Sequence, residues 1–307
     1  MNIPAKLHPQ REILSALAAS GNWMFRMDAD GTSHNNFVWR GTGEWTVCDK
    51  WSTKPTCDSG GLFGQSPRGW GYAHFGTRPV FCETDSIQVP VGSDKIKTPR
   101  AKILFTGGEA LQALVTVCPQ FGGSLDLSGC NLEGIVLPTR VGGSLDLSGC
   151  NLEGIVLPTR VGGSLDLRGR NLKGIVLPTR VGGSLDLRGR NLEGIVLPTR
   201  VGGSLYLRDC NLKGIVLPTR IGSSLDLSGC NLKGIVLPTR VGGSLYLRDC
   251  NLEGIVLPTR VGGSLYLRGC NLEGIVLPTR IGGSLDLRDC NLKGIVLPTR
   301  YKSKLIL

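Results

Sequence analysis

The sequence predicts a mainly β protein: a right-handed repeat solenoid of 20-residue coils preceded by a small α+β domain. Three observations carry this. Residues 121–300 are nine copies of one 20-residue unit, close to VGGSLDLRGCNLEGIVLPTR, with no insertion or deletion, and a fixed period of this length means one structural unit stacked on the next. Apolar and polar residues alternate inside each unit, as on half-buried strands. All five tryptophans (Trp23, Trp39, Trp45, Trp51, Trp70) and all three histidines (His8, His34, His74) precede residue 75, so the first part of the chain has a composition of its own.

The chain therefore divides into residues 1–107, a small α+β domain; residues 108–120, a capping helix or linker; and residues 121–307, nine repeats and a partial tenth. In the first part, residues 9–19 read as a short helix. The strand segments are NNFVWRG (35–41), EWTVC (44–48), PVFCET (79–84), SIQVPV (86–91) and DKIKTPRAKILF (94–105), rich in β-branched and aromatic residues. GEALQALVTVC (108–118) places Leu111, Leu114 and Val115 at helical spacing, which suits a helix covering the open apolar end of the first coil.

Charge separates the two parts as well. Before Phe121 there are 12 basic and 10 acidic side chains, so nine of the eleven net positive charges belong to residues 121–307. A basic surface favours anionic partners. The N-terminus lacks the apolar run and small-residue cleavage site of a signal peptide, and no stretch is long enough to span a bilayer. The cysteine count is odd, eleven, with seven at one repeat position, which argues against a secreted disulfide framework. The expectation is a reduced, cytoplasmic protein of bacterial or phage type.

Val201 to Arg220 serves as the reference unit. Leu205, Leu207, Leu212, Ile215 and Leu217, with Val201 and the site of Cys210, are apolar in nearly every copy and are expected to point inward. Gly202-Gly203 and Pro218-Thr219 mark corners. Most variation falls at Tyr206, Arg208, Asp209 and Lys213, which are expected to face solvent. The segment SLYLRDCNLKGIVLP (204–218) resembles the short 20-residue bacterial class of leucine-rich repeats, LxLxxCxL followed by a Leu-Pro turn, although Gly202 stands where that class has a further leucine. Cut as LYLRD, CNLKG, IVLPT and RIGSS, the same residues resemble pentapeptide repeats, except that Arg220 would then point inward.

An ungapped repeat turns each position into a ladder with rungs ~4.8 Å apart. The sixth and eighth positions bring Tyr206, Arg208, Tyr246, Arg248, Tyr266, Arg268, Asp286 and Arg288 to one strand face. Tyr and Arg are enriched at the energetic centres of interfaces, so these eight are the candidate binding residues. The twentieth position is arginine from Arg140 to Arg300. Three outcomes are open to these arginines: to splay apart, to pair with the thirteenth position where it is acidic (Glu133, Glu153, Glu193, Glu253, Glu273), or to hold a polyanion such as nucleic acid. The cysteine ladder is expected to be buried thiols, interrupted by Arg170 and Arg190, which predict a kink or weak point. The closing YKSKLIL leaves a strand edge that Lys302 and Lys304 protect, or through which two chains dimerise.

The N-terminal part offers little chemistry. CDSGGLFGQSPRGWGYAHFG with KIK and RAKILF downstream resembles uncharacterised bacterial and phage domains, with Phe63 where those carry a histidine. Trp39-Arg40-Gly41 resembles the arginine strand of ADP-ribosyltransferases, with Glu83 in place of the usual Glu-x-Glu turn; His74 and Glu44 complete the polar candidates for an enzyme or toxin-like head. Cys48, Cys57, Cys82 and Cys118 lack zinc-ligand spacing, and the glycines from Gly60 to Gly76 contain no phosphate-binding loop. No catalytic residue, metal or cofactor is expected. The sequence thus points to a noncatalytic scaffold that binds a protein or an anionic macromolecule through one β-face; DNA mimicry is disfavoured by the positive charge.

Overall fold

The computed structural model describes residues 5–28, 38–55, 61–65, 78–92, 95–169, 172–295, 297 and 299–307. It is mainly β, a β-solenoid of 20-residue coils preceded by a small domain, and it forms two compact units, Met1–Pro158 and Thr159–Leu307. His34, Cys57, Trp70, His74, Arg170 and the glycine-rich run after Gln65 lie outside the described residues.

In the first unit, a 3-10 turn (Ala5–Gln10) leads into α1 (Arg11–Ser20), which ends on Gly21 in the left-handed region, its N–H donating to the Leu17 carbonyl as a helix terminus needs. The strands are β1 (Trp23–Asp28), β2 (Trp45–Val47), β3 (Leu62–Gly64), β4 (Arg78–Thr84), β5 (Val89–Val91), β6 (Lys95–Thr98) and β7 (Arg100–Thr106). They make two antiparallel sheets ordered β1-β4-β7-β2 and β3-β6-β5. Four of the five predicted segments contain strands, and Pro99 splits DKIKTPRAKILF into two. NNFVWRG does not: its described part holds one isolated bridge at Val38 and the buried ring of Trp39. β1 and β3 were not expected.

The core is aromatic. Trp23 stacks on Phe81 at 5.6 Å, and Phe81 meets Phe105 at 6.3 Å. α2 (Gly107–Val117) buries Ala110, Leu111, Ala113 and Leu114 and packs on β4 and β7. Its start lies against Ile135 of the first coil, so close that a Cβ on Gly108 would meet Ile135 Cδ1 at 3.0 Å. That is where a cap has to stand.

In the second unit each coil has four sides, and the burial pattern defines them. In the reference coil Leu205 and Leu207, Cys210 and Leu212, and Ile215 and Leu217 point inward around outward Tyr206, Asn211 and Val216; on the fourth side Arg220 points out and Ile221 in. Neighbouring coils pair in parallel and in register, Leu205 beside Leu185 and Leu225, Val201 beside Val181 and Ile221. Ladder bonds such as Leu207 N–H to the Asp226 carbonyl at 2.8 Å satisfy the backbone. Glycine at the second position is obligatory: a Cβ on Gly202 would collide with the Gly182 carbonyl oxygen. The ninth position has positive φ whether glycine or aspartate fills it, with Asp209 at 56° and Gly229 at 71°, which explains why only these two types occur there.

The repeat cysteines form a ladder of free thiols, buried at Cys130, Cys150, Cys210, Cys230, Cys250 and Cys270 and half-buried at Cys290. From Cys150 on, each is held to the preceding coil, Cys210 Sγ donating to the Leu187 carbonyl at 3.0 Å and Cys230 Sγ to that of Leu207 at 2.9 Å. Burial pushes the thiols of Cys230 and Cys250 up to about 12 and that of Cys270 to about 11. Arg190 does not kink the array: Leu185 stays paired with Leu205, and Asn191 with Asn211. Its Nε, however, is buried with no hydrogen-bond partner, and desolvation lowers its guanidinium pKa.

Two outcomes are expected. Arg190→Cys, which restores the repeat residue, stabilises the chain by about 1 kcal/mol by removing a stranded donor; an unchanged or lower urea midpoint contradicts this. The folded thiols hold protons that an unfolded chain releases from about pH 8.5, so their stabilisation is complete below that pH and is lost as pH climbs toward 12. Thermal melts should fall steeply above about pH 9, and Cys230→Ala with Cys250→Ala should flatten that limb relative to the parent.

Candidate anion-binding groove and tyrosine face

The fourth side of the coils, where the Arg-Val strands pair, is recessed. A groove of about 1040 Å³ runs along it, lined by Arg200, Arg220, Arg240, Arg260 and Arg280, by threonines such as Thr219 and Thr239, and at its end by Lys304. Its floor is recessed because the second-position glycines, Gly202 to Gly282, carry no side chain. The arginines pair in register in two runs, Arg200 beside Arg180 and Arg220, and Arg260 beside Arg240 and Arg280, the ladder being interrupted between Arg220 and Arg240. Rungs ~4.8 Å apart place like charges at a cost of about 1 kcal/mol per adjacent pair even in water.

Among the described residues nothing relieves that cost. No carboxylate lines the groove, and among the described residues none of these five arginines makes an ion pair. Among the described residues the alternative of pairing with the thirteenth position does not form, because that position lies at the corner between the second and third sides. There Glu193 meets Lys213 of the next coil at 2.8 Å instead.

The first side carries the eight residues read as a binding face. Tyr206, Asp226, Tyr246, Tyr266 and Asp286 are successive rungs of one ladder. Tyr246 and Tyr266 stack in parallel, 4.6 Å between centroids and 5° between planes, with the Arg248 guanidinium 4.9 Å from the Tyr266 ring. Most eighth-position arginines here are neutralised. Arg168, Arg188 and Arg288 each grip the aspartate two residues before them at 2.6 to 2.7 Å, Arg208 leans on Asp209, and Arg268 reaches Asp289 at 2.8 Å. The Arg288 hydrogen bond holds the Asp286 carboxyl below its ordinary range. Arg248 is the exception, with its Nε buried and unbonded beside the tyrosine pair.

Aspartate at the sixth position also has a structural duty that sequence reading missed. Asp186, Asp226 and Asp286 accept the backbone N–H two residues on, at 3.0 to 3.2 Å, just as Asn211 accepts that of Lys213 on the second side. The tyrosine coils give up this corner bond.

In the N-terminal domain, Arg40 and Glu44 are exposed, and Glu83 is paired with Lys102 on the adjacent strand at 2.6 Å. Two buried cations were not foreseen. Arg26 lies 4.5 Å from the Trp39 ring and donates to the Phe63 carbonyl at 3.1 Å; fully buried Lys97 has its Nζ 5.5 Å from the Trp51 ring. Desolvation lowers the Arg26 pKa and raises that of the adjoining Cys82 thiol to about 12. The described residues contain no cluster of three metal-ligating side chains, and none of their helices is long and apolar enough to cross a membrane. No protein-family model matches the chain, and no curated protein is detectably similar to it.

Proposed function

We propose that the repeat array is a noncatalytic scaffold that binds a polyanionic chain along the arginine-lined side of the solenoid. One observation carries the reading: five arginines, paired in two in-register runs, line one groove with no carboxylate among its lining residues. Such a column repels itself and releases counterions when a ligand supplies regularly spaced negative charge. The eighth-position arginines, although equally basic in sequence, are largely spent on aspartates of their own chain. The threonine and glycine lining adds polar contact without bulk, which suits a backbone-tracking ligand more than one recognised by shape.

Single-stranded DNA is the convenient probe. Binding followed by anisotropy should weaken with salt, and Arg220→Gln, Arg240→Gln and Arg260→Gln together should reduce the salt slope by about 2 and the affinity at least tenfold. If DNA and polyglutamate both fail to bind at low ionic strength, or if the triple variant binds as well as the parent, the groove is not the site.

A second reading is favoured by the tyrosine ladder. Tyrosine at 206, 246 and 266 forgoes a corner hydrogen bond that the aspartate coils make, and a local sacrifice of this kind marks positions kept for contact. That face fits a protein partner. Tyr206→Asp restores an acceptor for the Arg208 N–H and should raise stability by about 1 kcal/mol; no gain in a denaturant titration removes the sacrifice and with it this reading.

A further inference from the structure

The exposed guanidiniums are the main hydrogen-bond donors that the arginine groove offers a ligand. Its floor is largely spent: the N–H groups of Gly202, Gly222, Gly262 and Gly282 donate to the carbonyls of Val181, Val201, Val241 and Val261 at 2.9 to 3.0 Å. Threonine hydroxyls turn the same way, Thr259 Oγ1 donating to the Thr239 carbonyl at 3.1 Å and Thr279 Oγ1 to that of Thr259 at 2.8 Å. At the end of the groove the Lys304 ammonium is held by the carbonyls of Ile281 and Gly282 at 2.7 and 3.1 Å. A ligand therefore meets a line of positive forks above a bare backbone floor.

We infer, resting on the groove reading above, that the polyanion is a bare phosphate chain, inorganic polyphosphate in class. Proteins that hold single-stranded nucleic acid join a basic groove to rings on which the bases stack. Among the described lining residues the one aromatic is Tyr301, which is 3% exposed and whose hydroxyl donates to the Pro278 carbonyl. Tyr206, Tyr246 and Tyr266 point out from the first side, around the corner made by the paired glycines, and Tyr246 and Tyr266 already stack on each other. Bases would hang in solvent and add nothing to the grip.

An acidic peptide fits the rungs poorly. Along one side of an extended chain carboxylates recur every ~7 Å, against ~4.8 Å for the guanidiniums, and the arginine ladder is itself interrupted between Arg220 and Arg240. In polyphosphate a single oxygen bridges successive phosphorus atoms, and each phosphate carries a negative charge. Its charge is denser than the rungs, so every guanidinium finds phosphate oxygens in any register, in the bidentate contact that a planar fork favours. With neither sugar nor side chain, it can also settle on the glycine floor.

Competition against a fluorescent polyphosphate, read as anisotropy on the full chain at physiological salt, tests this. The competitors, matched in charge, are unlabelled polyphosphate, oligo-dT, the same deoxyribose-phosphate strand without bases, and polyglutamate. Polyphosphate should compete at least tenfold better than oligo-dT or polyglutamate, and the baseless strand should match oligo-dT within about twofold. Oligo-dT or polyglutamate competing as well as polyphosphate, or a baseless strand at least tenfold weaker than oligo-dT, overturns the inference and leaves the groove as a site for nucleic acid or acidic protein. Loss of binding to every polyanion, or a triple variant Arg220→Gln, Arg240→Gln and Arg260→Gln that binds polyphosphate like the parent, overturns the groove reading with it. The competitor series uses only the parent protein, so it decides even where the triple variant does not fold.

Discussion

The constraint on which the rest of the second unit depends is the close, in-register approach of successive coils at the glycine corner. Gly202 leaves no room for a Cβ against the Gly182 carbonyl, and the same contact recurs up the array. Because the backbones meet there, the strands on either side hold their parallel register, and the leucines, isoleucines and thiols fall into columns that fill one another's gaps. A coil that lost this approach would lose the ladder bonds of its neighbours as well, since each coil is completed only by the next. The same corner empties the floor of the groove. One residue type thus sets both the packing and the recess that the arginines border.

Register also decides what each charge can do. Arginine occupies two columns, and its fate differs by column. At the eighth position Arg168, Arg188 and Arg288 follow a sixth-position aspartate two residues away on the same face and fold back into a bidentate or near-bidentate ion pair, while Arg208 and Arg268, which follow tyrosine, reach the ninth-position Asp209 and Asp289. At the twentieth position its neighbours along the chain are threonine and valine, and its neighbours up the column are arginines. Net charge is the same in both cases, but only the second leaves a field directed outward.

The inward pattern was legible from sequence because burial in a solenoid follows the alternation of Leu205, Leu207, Ile215 and Leu217 directly. The cap helix was legible for a similar reason, its apolar residues recurring at helical spacing. What sequence could not show was which of several carboxylates an arginine would reach. Five glutamates at the thirteenth position were plausible partners for the arginine column until the coil proved four-sided, with a full side between that corner and the arginines. The role of Asp226 as a corner acceptor was hidden for the opposite reason: an outward aspartate on a strand looks like ordinary surface, and only the bond to the Ser228 N–H reveals its duty. In the N-terminal domain β1 escaped because WMFRMD is buried along its whole length. It therefore lacks alternation, and it carries Arg26 and Asp28, whose burial is made tolerable by Trp39 and by the bidentate Arg78 pair at 2.7 and 2.9 Å.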